Sequence, residues 1–247
     1  MTVDAPQPRF VPRGRGTRYL ARPSSRLLVT APAALLLISG TALGTTWKPP
    51  FPGLAAVDSH HHSGCTSFSI RSVTVATGEV ETNSTAKAGS VIPACPTSSL
   101  NTTLGFESPR FSPTSTGPHK VTFKWGISWN ATLKAACGRA GCSQAHGALT
   151  LLGSLGDDTT GRLVHGVQIL VWSGSVANAS SQSFGGSGSN FTLSFSANLN
   201  GTHAYHRLST LVAQVRASAP AGGLPALSRL NVGSGSDGAW LLSVAVK

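Results

Sequence analysis

The sequence predicts an all-β chain: a single antiparallel β-sandwich of about eight strands, immunoglobulin-like or jelly-roll-like, behind one N-terminal transmembrane helix. Two observations carry the sandwich. From Phe68 onward apolar side chains recur at every second position, and the short runs that do so are punctuated by Gly, Ser and Pro. A third carries the helix. Residues 27–47 contain no charge at all, and six arginines precede them.

The basic segment 1–26 holds Arg9, Arg13, Arg15, Arg18, Arg22 and Arg26 against the single acid Asp4. Such an excess marks the cytoplasmic side of a membrane span. Residues 27–47 are long enough to cross a bilayer core as a helix, and Trp47 would then sit at the outer interface. The expected localisation is a single-pass cell-membrane protein, N-terminus cytoplasmic and C-terminal domain extracytoplasmic. The alternative is secretion after signal cleavage, with Ala33–Ile38 as the apolar core and Gly40-Thr41-Ala42 as the small residues after it. Residues 48–64, KPPFPGLAAVDSHHHSG, carry three prolines and no period, and read as a stalk. Residues 65–247 form the extracytoplasmic domain.

Within it, Val121, Phe123, Trp125, Ile127 and Trp129 alternate with polar or small residues, the pattern of a half-buried antiparallel strand. Phe191, Leu193, Phe195, Ala197 and Leu199 repeat it and end at Asn200-Gly201, a hairpin-turn signal leading to a strand from about Tyr205 to Val215. Leu100 to Phe106 and Trp240 to Val246 add two more. Phe68 and Ile70 are out of phase with Val73 and Val75, which predicts a bulge near Arg71-Ser72. Leu163–Trp172, apolar on both faces, reads as a central, doubly covered strand, entered through the turn Gly156–Gly161 after Ala148–Leu155. The glycine/serine run Ser180–Ser189 reads as a mobile loop.

Cys65, Cys95, Cys137 and Cys142 all fall on the outer side, and an even count there reads as two disulfides. Of the three connectivities, Cys137–Cys142 with Cys65–Cys95 is the favoured one. Six of the eight asparagines stand in N-x-S/T sequons: Asn83, Asn101, Asn130, Asn178, Asn190 and Asn200. They make the chain a candidate glycoprotein.

The net charge of +11 does not indicate nucleic acid. Residues 1–26 supply +5 of it, and the remaining lysines and arginines are scattered singly, without the clustering that nucleic-acid binding needs. His60, His61 and His62, with Asp58 and Cys65 nearby, are the one metal-like constellation, set in what reads as a flexible linker. Asp157 and Asp158 read as turn acids, and His203 and His206 as residues on opposite strand faces. No nucleophile elbow, zinc-protease helix, P-loop or dinucleotide fingerprint is present, so no enzyme activity and no cofactor are expected. The function expected is a cell-surface structural, adhesion or binding module whose partner is a surface protein or a carbohydrate. Trp125, Trp129 and Phe123 would serve as a sugar platform only if exposed. The alternative is a surface metal-binding or redox-handling protein using His60–His62, and a weaker one a secreted hydrolase.

Overall fold

Alternation of apolar and polar side chains needs a partner sheet to bury one face, and the computed structural model supplies two sheets that do so for each other. It describes residues 46–47, 53–64, 66–89, 95–233 and 239–247. All belong to one unit of the chain, Thr41–Lys247; the other, Met1–Gly40, lies outside the described residues. Among the described residues no helix is long and apolar enough to cross a membrane.

The strands in chain order are β1 (Thr46–Trp47), β2 (Ala55–Gly64), β3 (Thr66–Thr74), β4 (Glu79–Ala88), β5 (Thr97–Glu107), β6 (Gly117–Lys134), β7 (Cys137–Gly138), β8 (Gly141–Cys142), β9 (Gln144–Asp157), β10 (Arg162–Val176), β11 (Ser181–Leu199), β12 (Tyr205–Ser218), β13 (Ala226–Val232) and β14 (Ala239–Val246). Every pairing among them is antiparallel. The first sheet runs β3–β4–β13/β14–β6–β11, because β13 and β14 lie successively along β6 as one interrupted strand. The second runs β10–β9–β12–β5–β2.

The core between them is the set of inward positions the alternation marks. Val121, Phe123, Trp125 and Ile127 of β6 meet Leu149, Leu151 and Leu155 of β9 and Leu211 of β12, all buried in one cluster. Trp125 Nε1 donates to Ser209 Oγ at 2.8 Å, joining the sheets through their centre. A second polar seam, Ser84 Oγ to Thr102 Oγ1 at 3.1 Å, joins them near β2 and β3. With Trp125, Trp129 and Phe123 buried, no aromatic platform is formed by them.

Several elements differ from the sequence reading. Thr46 and Trp47, read as the end of the membrane span, pair with Ala245 and Val244 as strand β1, and the rest of residues 27–47 lies outside the described residues. Ala55–Gly64, read as stalk, is strand β2, hydrogen-bonded in unbroken register along β5. An edge strand needs only one backbone partner, so it can be polar on both faces. Leu163–Trp172 belongs to β10, which is an edge strand and not a central one: Leu163 is 70% exposed and Leu170 60%. Phe68 and Ile70 are out of phase with Val73 because they face outward, and β3 pairs with β4 in continuous register without the expected bulge. The glycine/serine run is no loop; residues 181–188 pair with 134–127 of β6. The length of β6 leaves a backbone edge to fill, and Gly186 faces Trp129, where an added Cβ would lie 3.1 Å from the indole Nε1.

Candidate functional site

Strand β12 turns alternate residues inward and outward with few exceptions in character. Arg207, Ser209, Leu211, Ala213, Val215 and Ala217 are buried, whereas Gln214 and Arg216 project from the outer face of the second sheet. Antiparallel register then fixes their neighbours. Gln214 stands beside Ala148 and Asn101, and Asn101 beside His61. Arg216 stands beside His146 and Ser99, and these beside Ser175 and Ser63. Two adjacent rows thus cross all five strands, about 19 Å at the usual strand spacing.

These rows line two adjoining hollows of about 600 and 470 Å³, with His146 and Arg216 contributing to both. The side chains of His61, Asn101, His146, Gln214 and Arg216 are exposed, and none makes a hydrogen bond or ion pair with another described residue. Beneath them β9 is held in place: the buried Ser228 Oγ donates to the His146 carbonyl at 2.7 Å. Toward the other end of the same face the surface becomes apolar, with a shallow hollow of about 270 Å³ lined by Leu152, Leu163 and Leu208.

The histidine triplet does not act as one unit. Being on a strand, His60 and His62 share a face, their rings stacked at 6.3 Å, while His61 points to the opposite, groove-bearing face. Asp58 and His60 are occupied by the Arg71 guanidinium, which pairs with Asp58 Oδ1 at 2.8 Å and also bonds to His60 Nδ1. A guanidinium seated where a cation would go opposes the metal reading of His60, His61 and His62. No group of three or more His, Cys, Asp or Glu among the described residues is placed to hold a metal ion. Cys137 and Cys142 are bonded to each other and close the β7–β8 hairpin. Cys95 is disulfide-bonded, while Cys65 lies outside the described residues.

The turn acids have histidine partners that periodicity did not reveal. Asp157 Oδ1 accepts the backbone N–H of Thr159 and Thr160, and Oδ2 bonds His203 Nδ1 at 2.8 Å. Asp158 Oδ1 bonds His206 Nδ1 at 2.8 Å, and Oδ2 lies 3.2 Å from Arg110 Nε. Burial pushes the Asp157 carboxyl up, but the hydrogen bonds from His203, Thr160 and Thr159 outweigh it and hold its pKa at about 2. The two pairs tie the end of β9 and the turn after it to the turn before β12 and the start of that strand, and they stand apart from the groove. Gln214, Arg216 and His146 were missed in the sequence; the polar alternation Gln214-x-Arg216 within an apolar strand was the signal for two of them.

The sequons also sort by position. Asn101 lies in the groove, Asn130 on an outer strand face, Asn178 in the turn between β10 and β11, and Asn190 and Asn200 are exposed. Asn83 is half-buried, followed by the fully buried Ser84 and Thr85.

No family model matches this chain, and no curated protein matches it in sequence. Among solved structures, one described as TmCBM61 in complex with beta-1,4-galactotriose is similar at 10% identity and a TM-score of 0.18, covering 74% of this chain and 87% of that one. A superposition so low carries no argument about what this chain binds.

Proposed function

We propose that the chain is a membrane-anchored extracytoplasmic binding module that takes a carbohydrate chain across the outer face of its second sheet. The observation that carries this reading is the pair of rows through Gln214 and Arg216, where unengaged amide, imidazole, guanidinium and hydroxyl groups line one open groove. A polyhydroxylated ligand needs many donors and acceptors at spaced positions, which this face offers. A protein partner would call for an apolar, desolvated centre, and the groove has none. The scaffold the strand order supports is a jelly roll: β4–β13/β14–β6–β11 opposes β5–β12–β9–β10, with β2 and β3 added at the edges. Anchoring rests on the six arginines and the uncharged stretch up to Thr45, 19 residues or about 28 Å of helix.

The test is oligosaccharide binding by calorimetry to the wild type and to Gln214→Ala and Asn101→Ala. Each variant removes exposed hydrogen-bonding groups and should weaken binding about 3- to 10-fold, with the thermal midpoint unchanged. Binding that ignores both substitutions places the ligand elsewhere.

A further inference from the structure

Resting on that reading, we propose that the chain bound in the groove is acidic, with a carboxylate of the uronate type seated on Arg216. Arg216 is exposed at the meeting of the two hollows, flanked in register by His146 and Ser99, and no described carboxylate pairs with it. The rows of Gln214 and Arg216 contain no acid. Glu107 shares this face but is in register with Leu208, six residues along β12 from Gln214 and so about 20 Å away. That exceeds the screening length of about 8 Å at physiological salt. Asp58 alternates to the other face of β2 and is held by Arg71, and Asp157 and Asp158 are held by His203 and His206.

A guanidinium with nothing opposite it is a planar fork of donors matched to a carboxylate, and the side chains beside it can donate to the same group. One such cation balances one negative charge, which favours a carboxylate over a dianionic phosphate ester. Spaced hydroxyl and amide groups from Ser63, Asn101 and Gln214 then serve the neutral parts of the chain.

The experiment uses matched oligosaccharides, each uronate-bearing chain beside its carboxyl-reduced neutral form and a sulfated form, titrated against the full chain. The expected result is that the uronate form binds at least 10-fold tighter than the neutral form. Arg216→Gln should cost the uronate form about 10- to 100-fold and abolish the difference. Arg216 is exposed, so the thermal midpoint should hold; Gln214→Glu gives an independent check by placing a like charge beside the carboxylate, weakening the uronate form more than the neutral one. Equal binding of neutral and uronate forms, indifferent to Arg216→Gln, overturns the acidic assignment and leaves carbohydrate binding standing. Preference for the sulfated form overturns the carboxylate. Failure of every chain to bind overturns both readings.

Discussion

At the scale of single residues, polar groups divide into those satisfied within the fold and those left to solvent, and the division has energetic consequences. Asp157 is satisfied: its carboxylate takes two backbone N–H groups and His203, which holds its folded pKa at about 2 against an ordinary 3.8. Between those values the folded state binds fewer protons than the unfolded one. The contribution is therefore complete above pH 3.8 and is lost as pH falls toward 2. Asp157→Asn keeps an oxygen for the turn but removes the charge, so its melting temperature should fall less steeply than the wild type's over this range; parallel curves would show that the ion contributes nothing. Trp125 is satisfied through Ser209, which is 1% exposed. Trp125→Phe strands that hydroxyl and should cost about 1–3 kcal/mol, read by denaturant unfolding. Arg207 is the residue the sequence hides best: it lies at an inward position with its guanidinium 4.2 Å from the Phe111 ring, and burial lowers its pKa to about 9, so it stays charged at neutral pH. Alternation assigns a face to each position, but not a partner. For that reason Trp125 was legible as core and the Asp157–His203 bond was not.

At the scale of elements, the period-two pattern located strands wherever one face is apolar, as in β6 and the second half of β11. It failed where a strand draws its stability from backbone pairing alone. The histidine-bearing β2 and the glycine/serine half of β11 each lie along a long neighbour that offers unpaired N–H and C=O groups. Composition also could not tell the apolar edge strand β10 from a central one, since its exposed Leu163 and Leu170 look like core in one dimension. Glycines record the close approach of the sheets. A Cβ on Gly153 of β9 would come within 2.7 Å of the Phe123 ring, so Gly153→Ala must push a buried aromatic and should destabilise by about 1–3 kcal/mol. The Cys137–Cys142 bond closes a loop with a sequence separation of 5. Its removal as a double Cys→Ser variant should cost about 2 kcal/mol by loop entropy, and thermal unfolding of that variant measures it.

At the scale of the whole molecule, a chain so poor in charge, 11% of its residues, leaves solubility to hydroxyls, amides and whatever sugars the sequons carry. The sandwich gives these sequons unequal prospects, and they bear on the groove. Asn130 on β6 and Asn190 on β11 belong to the first sheet, away from Arg216, so sugar there leaves the groove open, whereas Asn178 directly follows Ala177, which lines the same hollow as Arg216. Asn83 has a buried side-chain amide oxygen, Oδ1, and a sequon whose hydroxyl residues are fully buried, so a glycan on it conflicts with the folded sheet. Asn101 is exposed beside Gln214 and His61, where a glycan would lie in the groove itself. Protein from a glycosylating host should therefore map as modified at the outward sites and unmodified at Asn83, read by peptide mass spectrometry after enzymatic sugar release in heavy-oxygen water. Molecules modified at Asn101 should bind no added oligosaccharide until that sugar is removed, whereas stripping Asn130 and Asn190 should leave affinity unchanged. Full binding with Asn101 occupied would move the ligand off this face, because the two cannot share the row through Gln214.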